Sequence, residues 1–146
     1  MEPRKISVIE NLPAPDTSTL VPAKSSRAGA LVVGFFGQVN RWKGLNLLIE
    51  AVQLARKGGV DVQLEVNGAK QPEVEVSPGV LFNGTYESHQ LTERMARVDV
   101  VAMASSWYEN SPMVIQEAFL HGRPVMAPRL GGMAEKVRDG QTGVLV

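Results

Sequence analysis

The sequence predicts an α/β domain: a parallel, Rossmann-like sheet with helices on both faces. Three observations predict it. From residue 30 onward, short and almost continuously apolar runs alternate with segments of helical period, the pattern of strand–helix–strand units whose sheet is buried on both sides. The junctions carry glycine, proline and polar capping residues and no long low-complexity stretch. The chain of 146 residues, 44% hydrophobic and 21% charged, has the size and composition of one globular domain.

The elements follow in order. Ile6-Ser7-Val8-Ile9 is a short strand-like run, and Asn11 to Gly29 is rich in Pro, Ser, Thr and Ala. Pro13, Pro15 and Pro22 forbid regular structure there, so residues 1–29 read as a linker or a strap across a surface. The domain itself spans residues 30–146. Its expected strands are Ala30–Phe36, Val62–Asn67, Val80–Asn83, Asp99–Ala104, Pro124–Ala127 and Gly143–Val146. Leu45, Leu48, Ile49 and Val52 fall at i, i+3, i+4 and i+7 on a first helix from about Lys43 to Arg56, stopped by Gly58-Gly59. Leu91, Met95 and Val98 mark a second helix with Ser88 as its cap, and Val114, Ile115, Ala118 and Phe119 mark a third. The third should be capped by Ser111, take Pro112 in its first turn and close at Gly122. A short fourth helix is expected from Gly132 to Arg138, ended by Asp139-Gly140.

Composition also excludes functions. Lys+Arg and Asp+Glu are equal at 15 each, so no long-range field gathers nucleic acid or anionic lipid, and any anion must be held locally. With no cysteine there are no disulfides, thiolate metal sites or cysteine nucleophile, as suits a reducing compartment, and a cytoplasmic protein is expected. No apolar run reaches the roughly 18 residues of a membrane span, and no signal-type stretch follows Met1. His89 and His121 have no second ligand at metal spacing, so no metal site is expected.

In a doubly wound sheet the ligand lies beyond the carboxyl ends of the strands, where loops enter helix N-termini. Three loops qualify. Gly34 to Gly44 ends the first strand with Gly37 and Gln38 and places Arg41 and Lys43 at the mouth of a helix, where free amides and two cations suit a phosphate. Ser105 to Pro112 leads into the third helix, with Glu109 just before it and Glu117 inside it. Helical side chains lean toward the N-terminus, so Glu117 points back toward the amides around Asn110, Ser111, Pro112, Met113 and Val114. In the third loop, Gly131, Gly132 and Met133 open a helix with further bare amides. Carboxylates that accept from hydroxyls beside amides that donate to phosphate suit a sugar nucleotide. Trp42, Trp107 and Tyr108 divide evenly between pocket rim and packing, and Met95, Met103, Met113 and Met133 read as core filler.

The run Ser105…Glu109-Asn110-Ser111-Pro112-Met113-Val114-Ile115-Gln116-Glu117-Ala118…Gly122-Arg123-Pro124-Val125…Gly131-Gly132…Glu135…Asp139-Gly140…Gly143 resembles the signature of the retaining glycosyltransferases of family 4, the group 1 transferases. Gly37-Gln38, Lys43-Gly44, Leu48-Ile49 and Ala51 match the same pattern, and Val8-Ile9-Glu10-Asn11 with Pro22 resembles the segment joining that family's two domains. The resemblance implies the C-terminal, donor-binding half of a GT-B enzyme acting on a nucleotide-diphosphate sugar without a metal or other cofactor. The N-terminal acceptor domain and the closing C-terminal helix are then absent from the chain, and the fragment alone should bind nucleotide without transferring sugar. It implies that Glu109 is catalytic and binds donor-sugar hydroxyls, that Glu117 binds the ribose, and that Lys43 neutralises the diphosphate. Amides around Ser111–Val114 and Gly131–Met133 complete the contacts. Gln38 departs from the arginine common at its position, which Arg41 could replace. Phe82-Asn83-Gly84-Thr85-Tyr86 falls where the family closes over the base. The expected partners are the donor and the enzyme's own N-terminal domain, and peripheral membrane association of the full-length enzyme stays open. Two other readings remain: a non-catalytic module of the same fold, and a glycosidase using Glu109 and Glu117 as paired carboxylates.

Overall fold

The structure is a computed structural model that describes residues 29–68 and 77–146. The strand-like run at Ile6–Ile9 and the linker over 1–28 lie outside the described residues. Six parallel strands form one sheet: β1 (Leu31–Phe36), β2 (Val62–Asn67), β3 (Val80–Phe82), β4 (Val100–Ala102), β5 (Val125–Ala127) and β6 (Gly143–Leu145), in the order β3-β2-β1-β4-β5-β6. The α/β, Rossmann-like expectation holds. All six strands stand where the apolar runs put them, and the strand order reverses between β1 and β4, which sets a crevice there.

Helices cover both faces of the sheet. β1 explains how: its pleat sends Val32 and Phe36 to one side and Val33 and Phe35 to the other. On the first side Val32 and Phe36 pack with Met95 of α2 (Leu91–Arg97), Ile115 and Ala118 of α3 (Met113–Leu120) and Met133 of α4 (Gly131–Lys136). On the second, Val33 and Phe35 pack with Leu45, Leu48, Ile49 and Val52 of α1 (Leu45–Lys57), the stripe read from the sequence.

Five expectations need correction. Lys43 is not in α1: it ends a 3-10 turn, Arg41–Lys43, whose first amides are capped by the Asn40 side chain. Gly44 then breaks the path at φ 67°, pressed so close to the Ala104 carbonyl that no Cβ fits. Ser88 caps nothing: Glu87 and Gln90 form a reciprocal capping box on the turn Ser88–Gln90 that leads into α2. Ser111 does not cap α3, because Pro112 itself is the extended N-cap residue at ψ 106° and has no polar side chain to offer. The hydroxyl of Ser111 is buried without a hydrogen-bond partner among the described residues. Helix α4 runs from Gly131 to Lys136, shorter than expected and shifted back. Met113 is exposed while Met95, Met103 and Met133 are buried, so three of the four methionines are core.

Candidate functional site

The site assembles where the strand order reverses. A cleft of about 310 Å³ is lined by Phe36, Gly37, Gln38 and Lys43 after β1, by Met103, Ala104 and Ser105 after β4, and by Pro112, Met113, Val114 and Glu117 of α3, with Tyr86 across from them. Two loops far apart in sequence are held against each other. The Trp42 carbonyl accepts from the Ser106 amide at 3.0 Å and from the Ser105 hydroxyl at 3.3 Å. The left-handed turn at Gly44 brings Lys43 over the β4 loop, where its ammonium meets the Glu109 carboxylate.

Glu109 is held from two sides, by Lys43 and by the Ser105 hydroxyl at 2.8 Å. Burial pushes its carboxyl up, but the bonds from Lys43 and Ser105 with the Lys43 charge outweigh that and hold it below its ordinary range. Glu109 therefore stays ionised near neutrality, and can accept hydrogen bonds but not deliver a proton.

Glu117 has the opposite environment. It is half-buried on the first turns of α3, and burial pushes its carboxyl up, partly offset by the charge of His121. Its charge in turn adds to the burial that raises the Tyr86 hydroxyl, while Arg94 acts the other way. The backward lean expected of Glu117 is observed, since it shares the cleft with Pro112, Met113 and Val114 at the start of its own helix. No side chain caps that start; the Ile115 amide bonds back to the Pro112 carbonyl at 3.2 Å, which leaves the amides of Met113 and Val114 to donate.

The candidate residues divide in consequence. Gly37, Gln38, Lys43, Pro112, Met113, Val114 and Glu117 line the cleft, and Glu109 stands behind Lys43. Asn110 and Ser111 lie on the loop between Glu109 and α3, outside the cleft lining. The Arg41 side chain lies outside the described part of the structure. Of Gly131, Gly132 and Met133, whose amides are expected at the ligand, Gly132 is a correction. The Gly132 amide is not bare but donates to the Glu109 carbonyl at 2.9 Å, and Met133 is buried in the core, so this turn braces the Glu109 loop from behind.

Sequence reasoning missed Arg94, and named Ser105 and Tyr86 only within the signature run and the Phe82–Tyr86 stretch, with no role of their own. Ser105, buried, binds Glu109, and nothing in its local pattern points to that. Tyr86 packs edge-on against Phe36 at 6.0 Å and closes the cleft. Arg94 holds the Tyr86 loop, donating to the carbonyls of Asn83, Gly84 and Thr85 and lying 5.3 Å from the Tyr86 ring centroid. Among the described residues no group of three or more His, Cys, Asp or Glu could hold a metal ion, and no helix is long and apolar enough to cross a membrane.

A parallel sheet in this order, with a cation, two carboxylates and an uncapped helix start at its reversal point, defines a doubly wound domain suited to an anionic, hydroxyl-bearing ligand. Residues 30–146 match the family described as glycosyl transferases group 1, and the chain belongs to that family. It is 31% identical over 169 residues to the D-inositol 3-phosphate glycosyltransferase of Rhodococcus erythropolis, covering 99% of this chain and 38% of that protein. To the Arthrobacter sp. (strain FB24) protein of the same description it is 30% identical over 155 residues, covering 92% of this chain and 37% of that one. The chain thus spans little more than a third of these relatives. Among solved structures, Anabaena HepE in complex with UDP-glucose superposes with a TM-score of 0.70 at 29% identity, over 82% of this chain and 35% of that one. The C-terminal domain of a group 1 glycosyl transferase (LpcC) from Francisella tularensis shares the fold, with a TM-score of 0.70 at 23% identity over 91% of this chain and 80% of that domain.

Proposed function

We propose that residues 30–146 are the donor-binding domain of a retaining GT-B glycosyltransferase, joined through residues 1–29 to an acceptor-binding domain, and that the whole enzyme moves a sugar from a nucleoside-diphosphate sugar to an acceptor. The observation that carries this reading is the convergence of Lys43, Glu117 and the uncapped amides of α3 on one cleft, with Glu109 at its edge. In this assignment Lys43 meets the diphosphate and stabilises the charge that grows on it as the bond to the anomeric carbon breaks. The amides of Met113 and Val114 donate to the same phosphates. Gln38 donates from the cleft wall without charge, and Arg41 adds a second cation. Glu117 accepts from the ribose hydroxyls and Glu109, kept ionised, from hydroxyls of the donor sugar. Charge on the diphosphate is met by side chains and amides, and no metal or cofactor enters the assignment. Retention places the acceptor hydroxyl on the face that the diphosphate leaves, which requires a second domain to hold it.

The solved complexes of the Anabaena relative with UDP and with UDP-glucose support a nucleotide-sugar ligand and recommend UDP as the probe. The paired-carboxylate glycosidase leaves Lys43 and the uncapped start of α3 without a role. Calorimetric titration of the folded chain with UDP, uridine and free glucose tests the proposal. UDP is expected to bind, uridine more weakly, and glucose not through this cleft. A chain that is folded by circular dichroism and binds none of the nucleotides would sink the reading.

A further inference from the structure

Strand β2 departs from the apolar habit of a buried parallel strand at two inward places: Glu65, 8% exposed, and Asn67, fully buried. Asn67 ends the strand and stands in register with Phe36, the residue that packs against Tyr86. Its side-chain Oδ1 accepts from Arg94 Nη1 at 3.0 Å and from Asn83 Nδ2 at 3.1 Å, and Asn83 Nδ2 also donates to Glu65 Oε2 at 2.9 Å. Asn67 Nδ2 is buried without a hydrogen-bond partner among the described residues. The main chain reaches the facing wall of the cleft, where the Asn67 carbonyl accepts from the Gly37 amide at 2.9 Å. The next residue, Gly68, donates to the Gly84 carbonyl at 2.9 Å and is pressed so close to the Gly37 carbonyl that no Cβ fits.

Asn67 is thus tied to both sides of the cleft. An apolar side chain of similar size would bury no unpaired donor there, so stability does not account for the amide. What the amide supplies is direction. Its Oδ1 is a fixed acceptor on a strand inside the sheet, and it pins the Nη1 arm of the forked Arg94 guanidinium. With that arm pinned, the guanidinium also meets the carbonyls of Asn83, Gly84 and Thr85 and lies over the Tyr86 ring. The Asn83 side chain is held at the same oxygen. Residues 83–86 belong to no helix or strand, so these bonds, the Gly68 bond to Gly84 and the Phe36 ring set where Tyr86 stands.

From this geometry we infer that Asn67 is a positioning residue for the cleft. Through Arg94 and Asn83 it fixes the Tyr86 wall, and through its own carbonyl it fixes Gly37 on the facing wall, so the width of the cleft is set before a ligand arrives. The benefit is preorganisation, since a Tyr86 loop that is already ordered loses little freedom on binding. Fully buried, Asn67 meets no ligand itself and acts through Arg94. The inference deepens the proposed function and rests on that reading of the cleft, but the link from Asn67 to Tyr86 can be measured without any ligand.

The chain has two tyrosines, so labelling with fluorotyrosine gives two fluorine resonances, which Tyr108→Phe assigns. Asn67→Leu removes the acceptor, Asn67→Asp keeps it while removing the unpaired donor, and Arg94→Lys removes the fork. Each variant is checked for folding by circular dichroism and titrated with UDP by calorimetry. Asn67→Leu should shift or broaden the Tyr86 resonance in the unliganded chain and weaken UDP binding about fivefold or more, the scale of ordering a loosened side chain on binding. Asn67→Asp should stay near the parent in both. Arg94→Lys should resemble Asn67→Leu, and the double variant should lose no more than the worse single, because both act on one contact. Asn67→Ser, too short to reach either donor, takes the place of Asn67→Leu if that variant does not fold. An unmoved Tyr86 resonance, an unchanged UDP affinity, or losses that add in full in the double variant would each overturn the inference and leave the donor reading intact. If the parent binds no nucleotide, the donor reading fails and the Tyr86 resonance alone decides the inference. Moved in Asn67→Leu but not in Asn67→Asp, it upholds the positioning role; any other pattern removes it.

Discussion

Lys43 Nζ lies 2.5 Å from Glu109 Oε1, an ion pair that spans 66 residues of sequence and joins the loop after β1 to the loop entering α3. Both side chains keep some contact with solvent, so the pair contributes only about 0–1 kcal/mol to folding. Its weight lies in position: it sets a cation at the cleft and keeps a carboxylate ionised beside it.

Lys43→Ala should therefore fold with nearly unchanged stability and lose affinity for UDP more than for uridine. Added salt should narrow the difference between the parent and the variant, since screening weakens the charge interaction that was removed. Calorimetry with both ligands at two ionic strengths checks this. Equal losses for nucleoside and diphosphate would point to a folding defect instead.

The two carboxylates should respond to pH with opposite signs. Glu109 has its folded pKa lowered, so its contribution to stability is complete above the ordinary carboxylate range and is lost as pH falls through the folded value. Glu109→Gln should thus be less stable than the parent at pH 7, with the gap closing in acid. Glu117 has its folded pKa raised by burial, so the folded state is favoured below the ordinary range and loses that advantage as pH rises through the folded value. Glu117→Gln should be as stable as the parent or more so at pH 7, with that gain fading in acid, and should bind UDP about 1–3 kcal/mol more weakly. Urea melts from pH 3.5 to 8 with parallel UDP titrations would separate the effects. Unchanged affinity for every nucleoside diphosphate in Glu117→Gln would remove the ribose assignment.

Gly132→Ala should disturb the site from behind. A Cβ there would lie 2.5 Å from the Asn110 carbonyl and 2.7 Å from that of Glu109, both backbone atoms that cannot simply turn away. The cost should be about 1–3 kcal/mol in stability, as for other overpacked positions, together with weaker UDP binding. Urea unfolding and calorimetry measure the two. Full stability would mean the Glu109 loop is softer than its brace implies.

Residues 1–146 alone should bind UDP and transfer no sugar to any acceptor. Proximity and orientation of two reactants are worth roughly 7–11 kcal/mol, and one wall of a cleft cannot supply them. A radiolabelled transfer assay with UDP-glucose decides this. Measurable transfer would refute the division of the catalytic unit between two domains.

Much of the fold was legible because it rests on local and periodic signals. Buried parallel strands tend to be apolar almost throughout, as β1 is, while β2 alternates Val62, Leu64 and Val66 with polar residues, and a helix on a sheet must carry its stripe at i, i+3, i+4 and i+7, as α1 does. Those patterns survive in one dimension. The ends of the elements were less legible, since at Pro112 and Gly44 the cap was decided by backbone geometry and a neighbouring carbonyl, not by the polar residue nearest in sequence.

By itself the sequence determined the class of fold, the strands in their order along the chain, and the three loops and two glutamates worth watching. Only the tertiary structure decided that β1 and β4 are neighbours, that Lys43 therefore reaches Glu109, that Gly132 braces Glu109 instead of offering a free amide, and that Trp42 stands against Trp107. The physical reason is distance along the chain. Periodicity reports which face of an element is buried, whereas a contact between loops 65 residues apart (Trp42 and Trp107) depends on which strands pair and on one left-handed glycine, neither of which leaves a repeating trace in the residues concerned.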